Sequence, residues 1–297
     1  MSNTNKIVLT VVALLVLGVG GFYVINSQRR SGSTKQGQII QSHRSYELEV
    51  TSDTSNIKPK RPTTLSYKIK NERGEVLKNY ETAHEKIMHF IVVRNDLQYF
   101  QHLHPEYNQS TGEFNVEVTF PIDGPYRIYP DFTPGEDNPQ KLPVTVFSDV
   151  DVGDQSKYLA QPIIADTETN KAIEDYQIAF TVPKIKAQEE FIYSLEINEN
   201  GQPVTDLEKY LGALGHSVIL KADTLDFIHT HALEATSEGS STEGHNMDAM
   251  QKDEVTNVSG PEINFRTTLP ESGIYKIFTQ FQHQGVIKTV DYIVDIL

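Results

Sequence analysis

The chain contains no cysteine among its 297 residues. This absence excludes disulfide bonds, thiolate metal ligands and a lipid-modified cysteine anchor. Any metal site must therefore use histidine, methionine and carboxylate ligands. Basic residues are also scarce, with 26 Lys and Arg against 40 Asp and Glu. The resulting net charge of −14 disfavours a nucleic-acid partner, because phosphate contacts require a basic face.

Charge is also missing from a long apolar run near the N-terminus, at residues 7–25. At about 1.5 Å per residue this run covers about 28 Å, close to the ~30 Å hydrocarbon core of a bilayer. A removed signal peptide would have a shorter apolar stretch and a clear small-residue cleavage site. We therefore predict a transmembrane anchor at residues 1–26 and a flexible polar spacer at 27–41. The predicted localisation is the cell membrane, single-pass, with the bulk of the chain outside the cytoplasm.

Beyond the spacer, apolar and polar residues alternate in short bursts that end at Pro, Gly, Asn or Asp, which is typical of strands. The sequence also contains an internal repeat: HFIVVRNDLQYFQHLH (89–104) aligns without a gap on HSVILKADTLDFIHTH (216–231). About seven short strands per ~110 residues is what a β-sandwich requires. We predict an all-β fold with two tandem β-sandwich domains, immunoglobulin-like or cupredoxin-like, at 42–150 and 174–297, joined by a linker at 151–173.

Two further residues are expected to be structural. Tyr126 and Tyr275 each follow a Gly-x turn, in PIDGPYRIY (121–129) and PESGIYKIF (270–278). We expect both tyrosines to anchor a strand corner through packing and a hydroxyl hydrogen bond.

A three-histidine pattern occurs in both copies with the same internal spacing. Its members are His89, His102 and His104 in the first copy and His216, His229 and His231 in the second. A two-residue turn at Asn95–Asp96 would place His89 directly opposite His102, and the same register would place His216 opposite His229. Side-chain alternation then puts each triple on one face of its hairpin, a geometry suited to Cu or Zn. The alternative is that these histidines are half-buried sheet residues, bonded to backbone carbonyls, without metal.

Other side chains could supplement these sites. An insertion at about 233–260 follows His231 directly, and its His245, Met247 and Met250 offer the imidazole and thioether groups that Cu(I) prefers. The alternative is an acidic loop in which the two methionines have no role. His84 could supplement the first triple, whereas Met88 should face the core. A metal role for Asp131 is not expected, since the second copy has Gln280 there.

Two stretches carry a resemblance to known proteins: HEKIMHFIVVRNDLQYFQHLHPE (84–106) and LEKYLGALGHSVILKADTLDFIHTHA (207–232). They resemble a group of largely uncharacterised bacterial exported proteins, related to YtkA-like and cupredoxin-like (immunoglobulin-like) sandwich proteins. The resemblance covers the histidine hairpins and the Gly-x-Tyr strand. It implies an extracytoplasmic β-sandwich associated with copper or another heavy metal. The chain departs from blue-copper proteins because it lacks their Cys ligand.

These observations predict a membrane-anchored, extracytoplasmic protein that binds copper, or alternatively zinc, for sequestration or delivery. Its expected partners are the metal ion and the membrane, with no nucleic acid. Because no Ser-His-Asp order, phosphate loop or paired carboxylates stand out, we assign no catalytic residue and do not expect an enzyme. One alternative is a zinc-dependent hydrolase or hydratase that uses the same triples, with Glu85 or Glu106 as proton acceptor. Another is a structural or interaction module of the cell surface that binds no metal.

Overall fold

The computed structural model describes residues 46–135, 141–233 and 260–297. These residues form strands and connecting loops, with a short 3₁₀ turn at Gln155–Lys157. The all-β prediction is therefore confirmed. The predicted anchor and spacer lie outside the described residues. Within the described part, no helix is long and apolar enough to cross a membrane.

The first half of the chain forms two sheets. Its strands are β1 (Tyr46–Val50), β2 (Pro62–Asn71), β3 (Tyr80–Glu81), β4 (His89–Arg94), β5 (Phe100–Leu103), β6 (Glu106–Asn108), β7 (Glu113–Thr119), β8 (Gly124–Pro134), β9 (Val144–Thr145) and β10 (Ser148–Val152). One sheet has the order β1-β2-β7-β6. The other has the order β10-β8-β4-β5, with β3 and β9 also paired to β8. We call this pair of sheets the first sandwich.

The second half repeats this arrangement. Its strands are β11 (Asn170–Ile173), β12 (Tyr176–Thr181), β13 (Glu190–Glu199), β14 (Gln202–Pro203), β15 (Gly215–Lys221), β16 (Phe227–His231), β17 (Glu262–Thr268), β18 (Gly273–His283) and β19 (Val286–Ile296). One sheet has the order β11-β12-β13-β14, with β17 also paired to β13, and the other has the order β16-β15-β18-β19. We call this pair the second sandwich. Strands β10 and β11 reach into the predicted linker, where the sequence shows few strand signals.

Each sandwich buries the alternating apolar residues of its two inner faces. In the first, Tyr67 of one sheet stacks on Phe90 of the other, with ring centroids 5.2 Å apart. In the second, Tyr193 and Phe265 stack within one sheet at 5.0 Å and pack in the same core as Ile219 of the other. The alternation that predicts the strands therefore also fills the two cores.

A third apolar core lies between the two sandwiches, which belong to one compact unit of the chain, 39–297. It consists of Ile91, Val93, Leu97, Tyr129, Val218, Leu220, Leu225 and Phe278, with Phe100, Ile163 and Phe227 at its border. Two ring pairs cross it in equivalent places: Phe100 stacks on Phe278 at 4.5 Å, and Phe227 stacks on Tyr129 at 5.2 Å. Every residue of β4 and β15 is therefore buried, because both faces of these strands are covered.

Hydrogen bonds also join the two sandwiches across this core. The Tyr129 hydroxyl donates to the Leu225 carbonyl at 2.7 Å, and the Lys276 ammonium donates to the Leu97 carbonyl at 2.8 Å. Both acceptors are buried turn residues of the opposite sandwich. These bonds satisfy polar groups that would otherwise be buried without partners.

The register of the histidine hairpins differs from the predicted one by two residues. His102 stands opposite Ile91, not His89, and His216 stands opposite His231, not His229. The reason is a four-residue loop in place of a two-residue turn. Leu97 takes a left-handed φ of 55°, and Arg94 bonds with Tyr99 across the loop. A shift of two preserves the side-chain face, so each triple still shares one face.

The predicted strand corners are confirmed. The Tyr126 hydroxyl donates to the Ile122 carbonyl at 2.9 Å, and the Tyr275 hydroxyl donates to the Glu271 carbonyl at 3.0 Å. Both tyrosines have fully buried side chains.

Candidate metal centre

The first triple lies on the face of its sheet that meets the second sandwich. His89 begins β4, His102 lies within β5, and His104 follows the last residue of β5. Ile91 and Val93, on the same face of β4, belong to the core between the sandwiches. One nitrogen from each imidazole lies within 4.8 Å of the others.

The second triple is built in the same way. His216 lies in β15, and His229 and His231 lie in β16. Its three ligand nitrogens also lie within 4.8 Å of one another. Nitrogens bound to one tetrahedral zinc ion at about 2.0–2.1 Å would lie about 3.4 Å apart. Small side-chain movements would therefore close either triple on an ion, and both triples could bind a metal.

Oxygen acceptors fix the outer nitrogens of four imidazoles. His89 Nε2 donates to the Ala83 carbonyl at 3.3 Å, and His216 Nε2 donates to the Tyr210 carbonyl at 2.8 Å. A carbonyl oxygen can only accept, so these ring nitrogens carry the hydrogen. The other nitrogen of each ring then carries a lone pair, as in metal-bound histidines.

The other two acceptors come from the opposite sandwich. His102 Nδ1 donates to Gln280 Oε1 at 2.8 Å, and His229 Nδ1 donates to Asp131 Oδ2 at 2.8 Å. The Gln280 amide is oriented by its own NH₂ group, which donates to Thr289 Oγ1 at 3.1 Å. Each triple is therefore completed by a side chain of the other sandwich.

Several inner nitrogens have no hydrogen-bond partner among the described residues. In the first triple, His89 Nδ1 and His102 Nε2 lie within hydrogen-bond distance of each other at 2.9 Å, whereas His104 Nε2 is buried without a partner. In the second triple, His216 Nδ1, His229 Nε2 and His231 Nε2 are buried without a partner. Buried polar atoms are normally hydrogen-bonded. A cation bound in each triple would provide these nitrogens with a partner.

Burial favours the neutral form of five imidazoles in the two triples. It lowers the pKa of His104 to about 4 and the pKa of His216 to about 3. It also lowers the pKa of His89, His102 and His231, with a further contribution from the neighbouring imidazoles. Neutral imidazole is the form that binds a metal.

The two triples adjoin across the interface between the sandwiches. The ring centroid of His89 lies 5.5 Å from that of His229 and 6.4 Å from that of His216. His84 completes the cluster. The structure places it against the second triple, not the first: its ring stacks on His231 at 3.5 Å and lies 6.2 Å from His89.

The other candidate residues fall in different places. Met88 is buried in the core of the first sandwich, as expected. Glu85 and Glu106 are exposed. His245, Met247 and Met250 lie outside the described residues.

The roles of Asp131 and Gln280 were not predicted from the sequence. They occupy equivalent places, since Asp131 pairs with His89 in the sheet and Gln280 pairs with His216. A metal role for Asp131 was not expected, because the residue at the equivalent position of the second copy is Gln280. A carboxylate and an amide can both accept a hydrogen bond from imidazole, and this shared property is the signal that could have found them.

A family model described as a domain of unknown function (DUF8832) matches the chain twice, over residues 43–150 and 171–296. The chain belongs to this family. The two matched ranges correspond to the two sandwiches. No curated protein matches the chain.

Several solved structures are similar to the chain at low TM-score. The Escherichia coli adhesin FdeC is 12% identical, with a TM-score of 0.26, over 89% of this chain and 66% of that one. Escherichia coli alpha-2-macroglobulin is 13% identical, with a TM-score of 0.27, over 88% of this chain and 15% of that one. A marsupial T cell receptor is 7% identical, with a TM-score of 0.23, over 84% and 96% of the two chains. The chain thus spans just under two thirds of the adhesin and a small part of the macroglobulin.

Proposed function

We propose that the protein is a membrane-anchored, extracytoplasmic metal-binding protein that sequesters or delivers copper through the two histidine triples. One observation carries the proposal: the ring nitrogens of each triple converge within 4.8 Å, and His104 Nε2 of the first triple and all three inner nitrogens of the second are buried without a hydrogen-bond partner. A purely structural role would pair these nitrogens with donors, as His283 pairs with the Tyr176 hydroxyl at 2.8 Å.

Copper is favoured over zinc by the donor set. Imidazole binds both metals, but Cu(II) binds nitrogen sites more tightly than Zn(II) in the general affinity order. Three neutral imidazoles also suit Cu(I), and the insertion after His231 adds His245, Met247 and Met250 in the sequence. Zinc remains the alternative metal.

Metal handling is favoured over catalysis by the surroundings of the triples. A hydrolase needs a proton acceptor beside the metal-bound water. Among the described residues, Asp131 is the carboxylate that contacts a triple, and its oxygens are already bonded to His229 and Thr145. Glu85 and Glu106 are exposed. This arrangement suits holding an ion.

The membrane anchor and the extracytoplasmic location rest on the sequence. The uncharged run at residues 7–25 has the length of a membrane span, and the absence of cysteine leaves imidazole as the main donor. An extracytoplasmic domain anchored beside the membrane would be placed to bind copper before it enters the cell or after it leaves.

Metal content of the purified full-length protein tests this proposal. We expect two equivalents of copper per chain by elemental mass spectrometry after loading with Cu(II) or Cu(I). The variants His102→Ala and His229→Ala should each lose one equivalent, and the double variant should lose both. His283→Gln is the matched control, because it removes a buried imidazole outside the triples and should keep both equivalents.

Other results would select other functions. A folded protein that binds no copper or zinc would overturn the proposal and leave an interaction module. Ester or phosphate hydrolysis by the zinc form, lost in His229→Ala, would favour the hydrolase instead.

A further inference from the structure

The two triples differ in the charge of the side chain that each receives from the opposite sandwich. Asp131, on β8 of the first sandwich, accepts from His229 of the second. Gln280, at the equivalent place on β18 of the second sandwich, accepts from His102 of the first. The contacts are otherwise alike, at 2.8 Å each. The second triple thus receives a carboxylate and the first a neutral amide.

Both acceptors are built into the interface. Asp131 is 6% exposed, and its second oxygen accepts from the Thr145 hydroxyl at 2.7 Å. Gln280 is 7% exposed and bonds to Thr289. Neither side chain can exchange its contact for water without opening the interface, so the difference in charge is fixed by the fold.

A buried carboxylate behind a histidine ligand strengthens metal binding in two ways. It raises the basicity of the imidazole, and it offsets part of the positive charge of the ion in a medium of low polarity. Both effects grow with the charge of the ion. A neutral amide orients the imidazole equally well but offsets no charge.

We propose that the two sites take ions of different charge, with the His216/His229/His231 site binding divalent ions and the His89/His102/His104 site preferring monovalent copper. This assignment rests on the proposed metal-binding function and refines it. The crossing contacts of Asp131 and Gln280 carry it, and the pair of sites would hold Cu(II) and Cu(I) side by side at one interface.

Single-site forms of the full-length protein allow each affinity to be measured alone. His102→Ala removes the first site and leaves the second, and His231→Ala removes the second and leaves the first. Competition with a chromophoric chelator gives the Kd for Zn(II), as a redox-inert divalent probe, and anaerobic competition gives the Kd for Cu(I). We expect the second site to bind Zn(II) more tightly than the first, with a smaller or reversed difference for Cu(I).

Charge-swap variants then identify the cause. In the His102→Ala form, which keeps the second site, Asp131→Asn should weaken Zn(II) binding about 10–100-fold, the usual effect of losing a carboxylate hydrogen-bonded to a histidine ligand. Cu(I) binding should be weakened less. In the His231→Ala form, which keeps the first site, Gln280→Glu should strengthen Zn(II) binding. Both changes keep size and hydrogen-bonding capacity, so a far-UV spectrum and a thermal midpoint close to the parent's are expected.

The possible results separate this assignment from the proposed function. If neither single-site form nor the wild type binds Zn(II) or Cu(I), the metal-binding function itself fails. If both sites bind but Asp131→Asn changes neither affinity, or lowers both ions' affinities by the same factor, the sites bind metal but charge does not distinguish them, and this assignment is overturned. Gln280→Glu provides an independent test should Asp131→Asn fold poorly.

Discussion

At the scale of single residues, the tautomer of each histidine decides what the triples can do. Backbone carbonyls of Ala83 and Tyr210 fix the rings of His89 and His216 from loops six residues earlier in the chain. The sequence pattern could identify the six histidines and their common face, because strand alternation determines the face. It could not identify the acceptors, because loop carbonyls carry no side-chain signal.

The two strand-corner tyrosines provide a residue-scale prediction. Tyr126→Phe and Tyr275→Phe should each lower the free energy of unfolding by about 1 kcal/mol, because each removes one buried hydrogen bond while keeping the packed ring. Urea unfolding of both variants measures this loss. Tyr107→Phe is the control, since its hydroxyl donates to the Lys78 carbonyl at an exposed position and should contribute less. Equal losses in all three variants would contradict the role given to the corners.

At the scale of elements, the histidine hairpin shows why a turn was harder to predict than a face. Asn95–Asp96 is good chemistry for a two-residue turn, but the chain uses four loop residues with Leu97 in the left-handed region. Leu97 has no exposed surface and packs in the core between the sandwiches. Burial of Leu97 between the sandwiches outweighs the local preference for a two-residue turn. The sequence of one strand pair does not show that another sandwich packs against it.

Substitution by asparagine at two left-handed positions tests this balance. Leu97 and Gln284 have φ values of 55° and 53°, and asparagine tolerates this region better than either residue. Gln284→Asn should stabilise the protein by about 0.5–1 kcal/mol, since Gln284 is exposed and Asn-Gly is a favoured hairpin turn. Leu97→Asn should destabilise it by about 2–5 kcal/mol, because lost burial exceeds the relieved strain. Chemical unfolding of the two variants would refute this account if both changes had the same sign.

At the scale of the whole molecule, the sequence predicted the layers within each sandwich but not the contact between sandwiches. Each copy was considered separately, so the triples were expected to be independent sites. A signal was present: β4 (HFIVVR) and β15 (GHSVILK) are nearly continuous apolar runs, which are typical of strands covered on both faces. If both faces of β4 and β15 are covered, the face of each hairpin that carries the histidines must also lie against another layer, here the other sandwich.

The shared cluster also makes the stability of the metal-free protein depend on pH. In the unfolded chain, histidine binds a proton near pH 6.5. In the folded protein, burial lowers the pKa of His216 to about 3 and that of His104 to about 4, and it lowers the pKa of His89 as well. Below pH 6.5 the unfolded state therefore binds more protons than the folded state, so the free energy of unfolding falls as pH decreases.

We expect the free energy of unfolding to be nearly constant between pH 8 and 7 and to fall steeply between about pH 6.5 and 4. Each well-buried histidine contributes about 1.4 kcal/mol per pH unit once the pH is below its unfolded pKa, and several act together. Urea midpoints of the metal-free protein at pH 7.5, 6 and 5 measure the slope. His102→Ala/His229→Ala removes one imidazole from each triple and weakens the mutual repulsion of the others, so its slope should be shallower. A double variant with the wild-type slope would assign the acid sensitivity to carboxylates elsewhere, and the neutral imidazole cluster would not be its cause.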